Sequence, residues 1–269
     1  MVFSVLIAHF NNFPYFRKCY DSLLNQTFQD FEIILVDDCS TDNSLTEIRD
    51  LTKNDSRVKI FNNPENMGVG HTKKKCVEYA TGEFCGFVDP DDALLPNALE
   101  KSLKAYSNKN IIATYSRFII CNENLEPQKT FPNTRKIKNN NPLFFNINFE
   151  ASHFFTFRKE IYLKTEGICA NYRVAEDMDF YLKLYEEGPL YFINEPLYLY
   201  RVHPVGLSHN QSKTDLKNET WHTVLLNATK RRGLKKLYGK DINTIESLPK
   251  FLHQKQNTII SKLLRKLSW

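Results

Sequence analysis

The feature that most constrains this chain is an alternation of short apolar runs with helix-type stripes between residues 3 and 88. The apolar runs are rich in β-branched and aromatic residues, as in strands buried on both faces. The segments between them carry apolar residues three and four apart, as in helices with one buried face. Such alternation predicts a mainly parallel sheet with helices on both faces. The predicted strands are 3–8, 31–36, 58–61 and 84–88, and the predicted helices are 15–26, 43–53 and 71–80.

Polar residues follow the end of each predicted strand: Asn11, the pair Asp37-Asp38, Asn66, and the carboxylates from Asp89 to Asp92. The carboxyl ends of parallel strands share one edge of a sheet, and ligands of open α/β sheets bind at that edge. The sequence therefore predicts a nucleotide site there.

A dinucleotide-binding fold is the nearest alternative, and two details argue against it. Gly68-Val69-Gly70 lacks the third glycine of the GxGxxG fingerprint, and no glycine-rich turn follows the first strand. A Walker motif is also absent. Lys73 stands near a helix start, where it could face phosphate, although a lysine triplet is more often a solvated face.

The segment from Gly86 to Asp92 passes directly from a buried strand into three carboxylates, Asp89, Asp91 and Asp92. Packing alone does not explain this cluster, because neighbouring like charges repel and gain nothing from burial. A divalent cation resolves the conflict, since magnesium and manganese prefer hard oxygen ligands and are often shared with substrate phosphates. The alternative is an acidic loop that caps the helix beginning near Pro96.

A second acidic group, Glu176-Asp177-Met178-Asp179, opens an apolar-periodic helix. Carboxylates in this position complement the helix dipole and cap the helix. The functional alternative is a general base that faces the substrate cleft. Farther along, His203 follows two predicted strands, 191–193 and 197–200. A histidine in this position is usually a polar surface residue, but beside acidic partners it can be a metal ligand.

The remaining segments predict a helix over 96–107, strands over 111–121 and 154–157, and helices over 220–228 and 250–267. Residues 124–148 are polar and proline-rich, which predicts a long mobile loop.

Composition favours a cytoplasmic protein. No apolar run approaches the ~20 residues of a membrane span, and the first ten residues resemble a strand rather than a signal peptide. The six cysteines form no CxxC pair, so reduced thiols are expected.

The positive charge is concentrated at the C-terminus. Residues 230–269 hold 11 Lys/Arg and 2 Asp/Glu, which gives this tail a net charge of +9. Because the whole chain carries +5, the rest of the chain carries −4. This distribution argues against a nucleic-acid-binding core. An apolar stripe from Ile259 to Leu267, flanked by Lys262, Arg265 and Lys266, leaves two interpretations. The segment either lies on an anionic membrane, at the inner face, or docks on the catalytic domain.

Together, these residues resemble a family 2 glycosyltransferase of the GT-A fold over roughly residues 3 to 205. The resemblance rests on Ser4-Val5-Leu6-Ile7, Leu24-Asn25-Gln26-Thr27-Phe28, Val36-Asp37-Asp38-Cys39-Ser40-Thr41-Asp42, Asn66-Met67-Gly68-Val69-Gly70, Phe87-Val88-Asp89-Pro90-Asp91-Asp92, Glu176-Asp177 and Tyr200-Arg201-Val202-His203.

The resemblance implies an α/β fold of GT-A type, a Rossmann-like, mainly parallel sheet flanked by helices, over residues 1–205. Residues 206–269 would form a basic helical extension. It also implies a metal-dependent, inverting, bacterial polysaccharide-type glycosyltransferase. Such an enzyme uses manganese or magnesium and a nucleotide-sugar, usually a UDP-sugar, and its acceptor is a glycan or a lipid-linked molecule.

The resemblance assigns roles by motif position. Asp177 would be the general base with Glu176 beside it. Asp91 would hold the metal that bridges the diphosphate, and His203 would meet the metal or the diphosphate from the far side. The donor-binding residues would be Ala8, Phe10 and Asp38 in the base pocket, Asn66, Gly68 and Lys73 around the glycine loop, and Asp89 at the ribose.

The chain departs from the family pattern at three places. Ala8-His9 stand where a proline is usual, Lys73 stands where an arginine is usual, and Met178 replaces an aromatic residue. Lysine keeps the positive charge of arginine but loses its bidentate fork. Two other classes stay open: a nucleotidyltransferase, and a non-catalytic nucleotide- or sugar-binding module.

Overall fold

The structure, a computed structural model, describes residues 2–204 and 214–258. Its strands are β1 (Phe3–His9), β2 (Phe31–Asp37), β3 (Val58–Asn62), β4 (Phe84–Phe87), β5 (Ala93–Leu94), β6 (Ala113–Cys121), β7 (Pro127–Thr130), β8 (Thr156–Arg158), β9 (Leu190–Arg201), β10 (Lys236–Leu237) and β11 (Lys240–Asp241). Its α-helices are α1 (Phe13–Leu24), α2 (Ser44–Thr52), α3 (Val69–Tyr79), α4 (Ala98–Ala105), α5 (Lys159–Tyr162), α6 (Glu176–Glu187), α7 (Thr214–Arg231) and α8 (Leu248–Gln256).

Nine strands form one mixed sheet in the order β3-β2-β1-β4-β8-β6-β9-β5, with β7 paired to β6. Strands β1 to β4 form a parallel unit, and β6 and β9 are also parallel. Strand β8 joins these two units and is antiparallel to both of its neighbours. The predicted α/β class, a mainly parallel sheet flanked by helices, is confirmed.

Strand β1 shows why the amino-terminal strands are apolar at successive positions. Val5 and Ile7 pack on one face of the sheet in a cluster that includes residues of α1, α2 and α4. Leu6 packs on the other face with residues of α3 and α6. Successive side chains of a strand point to opposite faces, so a strand covered by helices on both sides needs apolar residues throughout.

Strand β9 corrects one prediction. The sequence suggested two strands separated by Asn194-Glu195-Pro196, whereas the structure has one strand from Leu190 to Arg201. Its register with β6 shifts beside Pro196, which lies opposite Arg117. Because proline has no N–H to give to the ladder, the chain accommodates it with an irregularity and then resumes pairing.

The predicted long mobile loop over 124–148 was also wrong in two places. Residues Pro127–Thr130 form β7 on the edge of the sheet. Farther on, Phe145 and Ile147 are buried against α6 and α7. The asparagines and prolines of this segment concealed the apolar anchors that hold it to the protein.

The described part of the C-terminal region packs on α6. Val224 and Leu225 of α7 share an apolar cluster with Leu182 of α6. Glu186 of α6 binds both Arg231, at 2.5 Å, and Arg232, at 2.8 Å. Helix α8 covers part of the helix predicted for 250–267, and the apolar stripe over 259–267 lies outside the described residues. Among the helices that the structure describes, none is long and apolar enough to cross a membrane.

Candidate active site

The carboxyl edge of the sheet brings four predicted site residues together: Lys73 and three carboxylates that face its amine. Lys73 of α3 points its Nζ at Glu176 Oε1, 2.9 Å away, and at Asp89 Oδ1, 3.4 Å away. Asp89 follows β4, and Glu176 begins α6. Asp177 lines the same cavity. One positive charge, that of Lys73, thus faces three carboxylates, so the cluster retains a net negative charge.

This charge imbalance shifts the pKa values of the cluster in different directions. Burial raises the pKa of Glu176 and of Asp177, and the positive charge of Lys73 only partly opposes the rise. Burial also acts to raise the pKa of Asp89, but Lys73 outweighs it and the pKa is lowered. The three carboxylates together hold the pKa of Lys73 well above its usual value despite burial. The pKa of Asp177 is therefore shifted upwards and that of Asp89 downwards, although both carboxylates line the same cavity.

The cavity beside Lys73 also contains His153, which the sequence analysis missed. Its walls are formed by Lys73, Phe87, Asp89, His153, Ile168, Glu176, Asp177, Phe180 and Tyr181. The imidazole of His153 stacks on Tyr198, with ring centroids 4.7 Å apart and planes inclined by 16°. Burial lowers the pKa of His153, so its neutral form is favoured. A neutral imidazole can both donate to and accept from a sugar hydroxyl.

A second pair, Asp91 and His203, includes one carboxylate of the turn formed by residues 89–92, which we call the Asp89 turn. Asp91 Oδ2 is 2.8 Å from His203 Nε2. The ring of Tyr15, on α1, packs 4.4 Å from the imidazole of His203, and the guanidinium of Arg201 lies 4.7 Å from the same tyrosine ring. The Nδ1 atom of His203 is buried and has no hydrogen-bond partner within the described residues.

Asp91 and His203 fit a divalent cation that is shared with a substrate. Adjacent ligands of an octahedral ion with bonds of about 2.0–2.1 Å lie roughly 2.9 Å apart, close to the observed separation. Within the described chain, no three His, Cys, Asp or Glu side chains are grouped to hold a metal. The protein would therefore supply two ligands, and diphosphate oxygens and water would supply the others, as is common for magnesium and manganese.

Asp92, the third carboxylate of the turn, has a structural role. It accepts hydrogen bonds from the Tyr198 hydroxyl and from the Arg201 N–H, both at 2.7 Å. The Tyr198 hydroxyl in turn accepts from the Asp89 N–H at 3.1 Å. These bonds tie the turn to the end of β9 and hold Asp91 opposite His203.

Asp38 supports the glycine loop. Its carboxylate accepts hydrogen bonds from the Asn63 side chain at 2.8 Å, from the Met67 N–H at 2.9 Å and from the Gly68 N–H at 2.8 Å. Gly68 has a φ of +89°, in the left-handed region that favours glycine. The predicted site residue Asn66 lies in the same loop and accepts from Arg173 at 3.4 Å. Asp38 thus shapes the glycine loop, and its contact with the nucleotide base stays a prediction.

The departure from the family pattern at Ala8-His9 has a physical explanation. His9 is buried and its Nδ1 lies 2.9 Å from Asp37 Oδ1, while the Ser40 hydroxyl donates to the same carboxylate. Burial raises the pKa of Asp37, but the bonds from His9 and Ser40 outweigh it and the pKa is lowered. Ala8 is half-buried and packs against the apolar cluster that contains residues of α3. Phe10 is 43% exposed, which leaves its ring available for stacking.

The carboxylates in the first turn of α6 have different partners. Ala175, just before the helix, has a φ of +57°, a strained value for a non-glycine residue that turns the chain sharply into the helix. Asp179 is bound by Lys183 at 2.7 Å, on the side of the helix that meets α7. The Asp177 carboxylate accepts a hydrogen bond from the Met178 N–H at 2.8 Å.

His153 and Tyr15 join the site only through tertiary contacts, so no local pattern identified them. The usable signal was compositional: each is a polar aromatic residue beside an apolar segment, His153 before Phe154-Phe155 and Tyr15 within a helical stripe. Lys73 was identified, but the sequence did not show that carboxylates would surround it.

Comparison with curated proteins gives relatives that make polysaccharides. A chondroitin synthase of Pasteurella multocida is 30% identical over 261 residues, which cover 94% of this chain. The chain spans 26% of the length of that relative.

Two solved structures share the fold. The first, TarS 1–349 from S. aureus in complex with UDP-GlcNAc, matches with a TM-score of 0.69, 20% identity, and coverage of 89% of this chain and 68% of that one. The second, the mannosyltransferase PcManGT from Pyrobaculum calidifontis in complex with GDP-Man and Mn²⁺, matches with a TM-score of 0.60 and 15% identity. It covers 94% of this chain and 68% of that one. The fold of the present chain is therefore the GT-A fold.

The profile of a family described as Glycosyl transferase family 2 matches residues 4–165, more than half of the chain. The match includes β1 to β8, the glycine loop and the Asp89 turn. This chain belongs to glycosyl transferase family 2.

Proposed function

We propose that this chain transfers a sugar from a UDP-sugar to a hydroxyl group of a glycan or lipid-linked acceptor, with inversion at the anomeric carbon. The observation that carries the proposal is the group of Lys73, Asp89, Glu176 and Asp177 around one cavity at the carboxyl edge of the sheet. The pair Asp91–His203 lies at the same edge. Family membership and the nucleotide-sugars bound by the two structural neighbours support this assignment.

Asp177 would act as the general base, with Glu176 beside it. In the proposed step the acceptor hydroxyl gives its proton to Asp177 while its oxygen forms a bond to the anomeric carbon. The bond from that carbon to the diphosphate oxygen breaks at the same time. Inversion requires one such base and no covalent enzyme intermediate. The raised pKa of Asp177 makes its carboxylate a stronger base than an ordinary aspartate.

The departing diphosphate gains negative charge, and the site would offset it in two ways. Lys73 supplies a buried positive charge beside Asp89. A divalent cation at Asp91 and His203 would act as a Lewis acid on the leaving diphosphate. The ring of Tyr15 packs on His203, and the guanidinium of Arg201 lies over the Tyr15 ring.

The donor would lie along the edge from Phe10 to Asp89. Phe10 would stack on the uracil ring, Asp38 and Ala8 would line the base pocket, and the loop of Asn66 and Gly68 would border the donor. Asp89 would approach the ribose. Residues 1–205 would form the catalytic unit and residues 206–269 the basic extension.

A nucleotidyltransferase is disfavoured, because β1 is followed by Phe10-Asn11-Asn12 rather than by a glycine-rich phosphate loop. A non-catalytic binding module is disfavoured by the joint presence of Asp91, Asp177 and His203, which binding alone does not require. A cytoplasmic location, peripheral at the inner face of the membrane, is consistent with the proposal. The proposed membrane contact through 259–267 lies outside the described residues.

Thermal unfolding against a panel of nucleotides, with and without manganese, tests the donor site. A ligand present at about 100 times its Kd stabilises the folded state by about 2.7 kcal/mol, which raises the midpoint by roughly 5–10 °C for a chain of this size. We expect the largest manganese-dependent shift with UDP or a UDP-sugar. Asp91→Ala should lose it, whereas Asp50→Ala, which removes an exposed carboxylate of α2, should retain it. No shift with any nucleotide, or an unchanged shift in Asp91→Ala, would contradict the proposal.

A further inference from the structure

Residues 230–258 carry a set of exposed lysines that no ion pair within the described residues explains. Six lysines are exposed, and none forms an ion pair within the described residues: Lys230, Lys235, Lys236, Lys240, Lys250 and Lys255. The two arginines of the same segment, Arg231 and Arg232, are instead bound to Glu186. The arginines therefore dock the segment on α6, and the lysines are left facing solvent.

The hairpin of β10 and β11 presents an aromatic ring among these lysines. Tyr238 and Gly239 form its turn with φ values of +48° and +83°, as in a type I′ turn. Asparagine or glycine is preferred at such a position, so the turn itself does not select a tyrosine. The side chain of Tyr238 is 44% exposed. The folding of the hairpin therefore does not account for this residue.

Phe251 of α8 extends the aromatic part of this surface. Its ring lies 6.3 Å from that of Tyr238. The amines of Lys240 and Lys255 lie 6.0 Å and 5.7 Å from the centre of the Phe251 ring. An exposed tyrosine thus stands next to a half-buried phenylalanine and is bordered by amines. We call Tyr238, Phe251, the hairpin lysines Lys235, Lys236 and Lys240, and Lys255 the basic hairpin surface.

We propose that the basic hairpin surface binds an anionic lipid bilayer, with Tyr238 at the level of the headgroups. Tyrosine prefers the membrane–water interface, because its ring is apolar and its hydroxyl is polar. Lysines near the surface gain from the negative potential of anionic lipids. The chain outside residues 230–269 carries −4, so the same potential would turn the rest of the molecule away from the bilayer.

Two observations favour a bilayer over a nucleic acid or an anionic glycan. Within residues 230–258, the cations without an ion-pair partner are lysines, which act as point charges and lack the fork with which arginine binds individual phosphate or sulfate groups. The exposed ring also lies at the tip of a convex hairpin, where it could enter a headgroup layer. The proposal does not depend on the transfer reaction, and its test needs no substrate.

Sedimentation with vesicles tests the proposal on the full chain. Vesicles of phosphatidylcholine with about 30% phosphatidylglycerol are compared with vesicles of phosphatidylcholine alone, at low and high salt. Each lysine near the surface contributes about 5-fold to partitioning, so the triple variant K235Q/K236Q/K240Q should bind the anionic vesicles roughly 100-fold more weakly. The matched control K53Q/K109Q/K164Q removes the same charge from exposed positions elsewhere and should bind like the wild type. Tyr238→Ser should weaken binding less than the triple variant.

A charge-conserving variant, K235R/K236R/K240R, guards against a folding defect and should keep vesicle binding. Four results would overturn the proposal: no preference of the wild type for anionic vesicles, equal binding by the hairpin triple and the wild type, equal losses in the hairpin and control triples, and capture by heparin or DNA without capture by vesicles. Nucleotide binding in solution is measured separately, so loss of the vesicle contact and failure of the donor site are distinguishable.

Discussion

Two buried glutamates, each bonded to a lysine, lie at opposite edges of the sheet and differ in acid strength. At the amino edge, Glu32 of β2 binds Lys59 at 2.7 Å and accepts hydrogen bonds from Ser4 and from Thr81. At the carboxyl edge, Glu176 binds Lys73 at 2.9 Å. Burial acts to raise the pKa of both, but the hydrogen bonds to Glu32 outweigh it and lower that pKa to about 2, whereas the pKa of Glu176 is raised.

The difference lies in the neighbours of each lysine. Glu32 receives several donors and is not crowded by another carboxylate in its hydrogen-bonded group. Glu176 must share Lys73 with Asp89 and Asp177. A carboxylate with a full set of hydrogen bonds stabilises the fold. An incompletely neutralised carboxylate costs stability and remains available to interact with a ligand. The comparison suggests that the carboxyl edge has kept its unbalanced charge for a ligand.

The largest expected effect is on stability. Glu32→Gln should lower the free energy of unfolding at pH 7 by about 3 kcal/mol, because several charge-assisted hydrogen bonds are lost. Glu176→Gln should change it by less than about 1 kcal/mol, because it also removes a carboxylate that is costly to ionise. Urea unfolding of both variants measures the difference. Equal losses of unfolding free energy in the two variants would contradict the difference drawn between the two glutamates.

The same comparison has a pH dependence. The pKa of Glu32 is lowered on folding, so its contribution is present above its ordinary pKa of 4.5 and is lost as the pH falls through about 2. The unfolding free energies of the wild type and Glu32→Gln should therefore converge as the pH approaches 2. A gap that stayed constant from pH 7 to pH 2 would show that Glu32 acts through packing alone.

A smaller effect is expected on the pH profile of transfer. Asp177 must be ionised to accept a proton, so kcat/KM should fall as the pH drops through its raised pKa. Lys73→Met removes the charge that opposes this rise, so the acid limb should move to higher pH by about one unit, equivalent to 1.4 kcal/mol. Lys59→Met is the matched control at the other edge and should leave the limb in place. An unchanged acid limb in Lys73→Met would show that Lys73 does not affect the pKa of the general base.

The smallest effect concerns Lys59 itself. Its side chain is 44% exposed, so its bond to Glu32 is partly screened by solvent. Lys59→Met should cost less than about 1 kcal/mol, because Ser4 and Thr81 still hold the carboxylate. Thermal unfolding at low and high salt measures this cost. A loss as large as that of Glu32→Gln would mean that the ion pair, rather than the hydrogen bonds, stabilises this edge.

The sequence predicted the parallel half of the sheet because β1 to β4 are short and apolar throughout, a pattern that depends on local burial alone. The polar residues after those strands likewise predicted the edge on which Asp89, Asp91 and Lys73 meet. Strand β9 was divided in two because Pro196 resembles a break. A proline opposite a register shift is tolerated within a strand, and only the pairing with β6 shows this.

The candidate site was less accessible to prediction wherever a role depends on distant partners. The motif does not show that Asp92 is bound by Tyr198 and Arg201, or that Asp38 holds the glycine loop. Nor did any local pattern place His153 in the cavity, since it arrives there from the segment before β8. The general limit is that a carboxylate's neighbours, which decide whether it stabilises or reacts, are set by tertiary packing.

The most direct test of the account is to measure sugar transfer and UDP-sugar binding side by side in the wild type and Asp177→Asn. The amide keeps the shape of the side chain but cannot accept the acceptor's proton, so the transfer rate should fall by about 10²–10⁴-fold or more. Donor affinity should stay within about 3-fold, because Asp177 is assigned to the acceptor side of the cavity. Near-normal transfer, or a loss of donor affinity as large as the loss of rate, would contradict Asp177 as the general base.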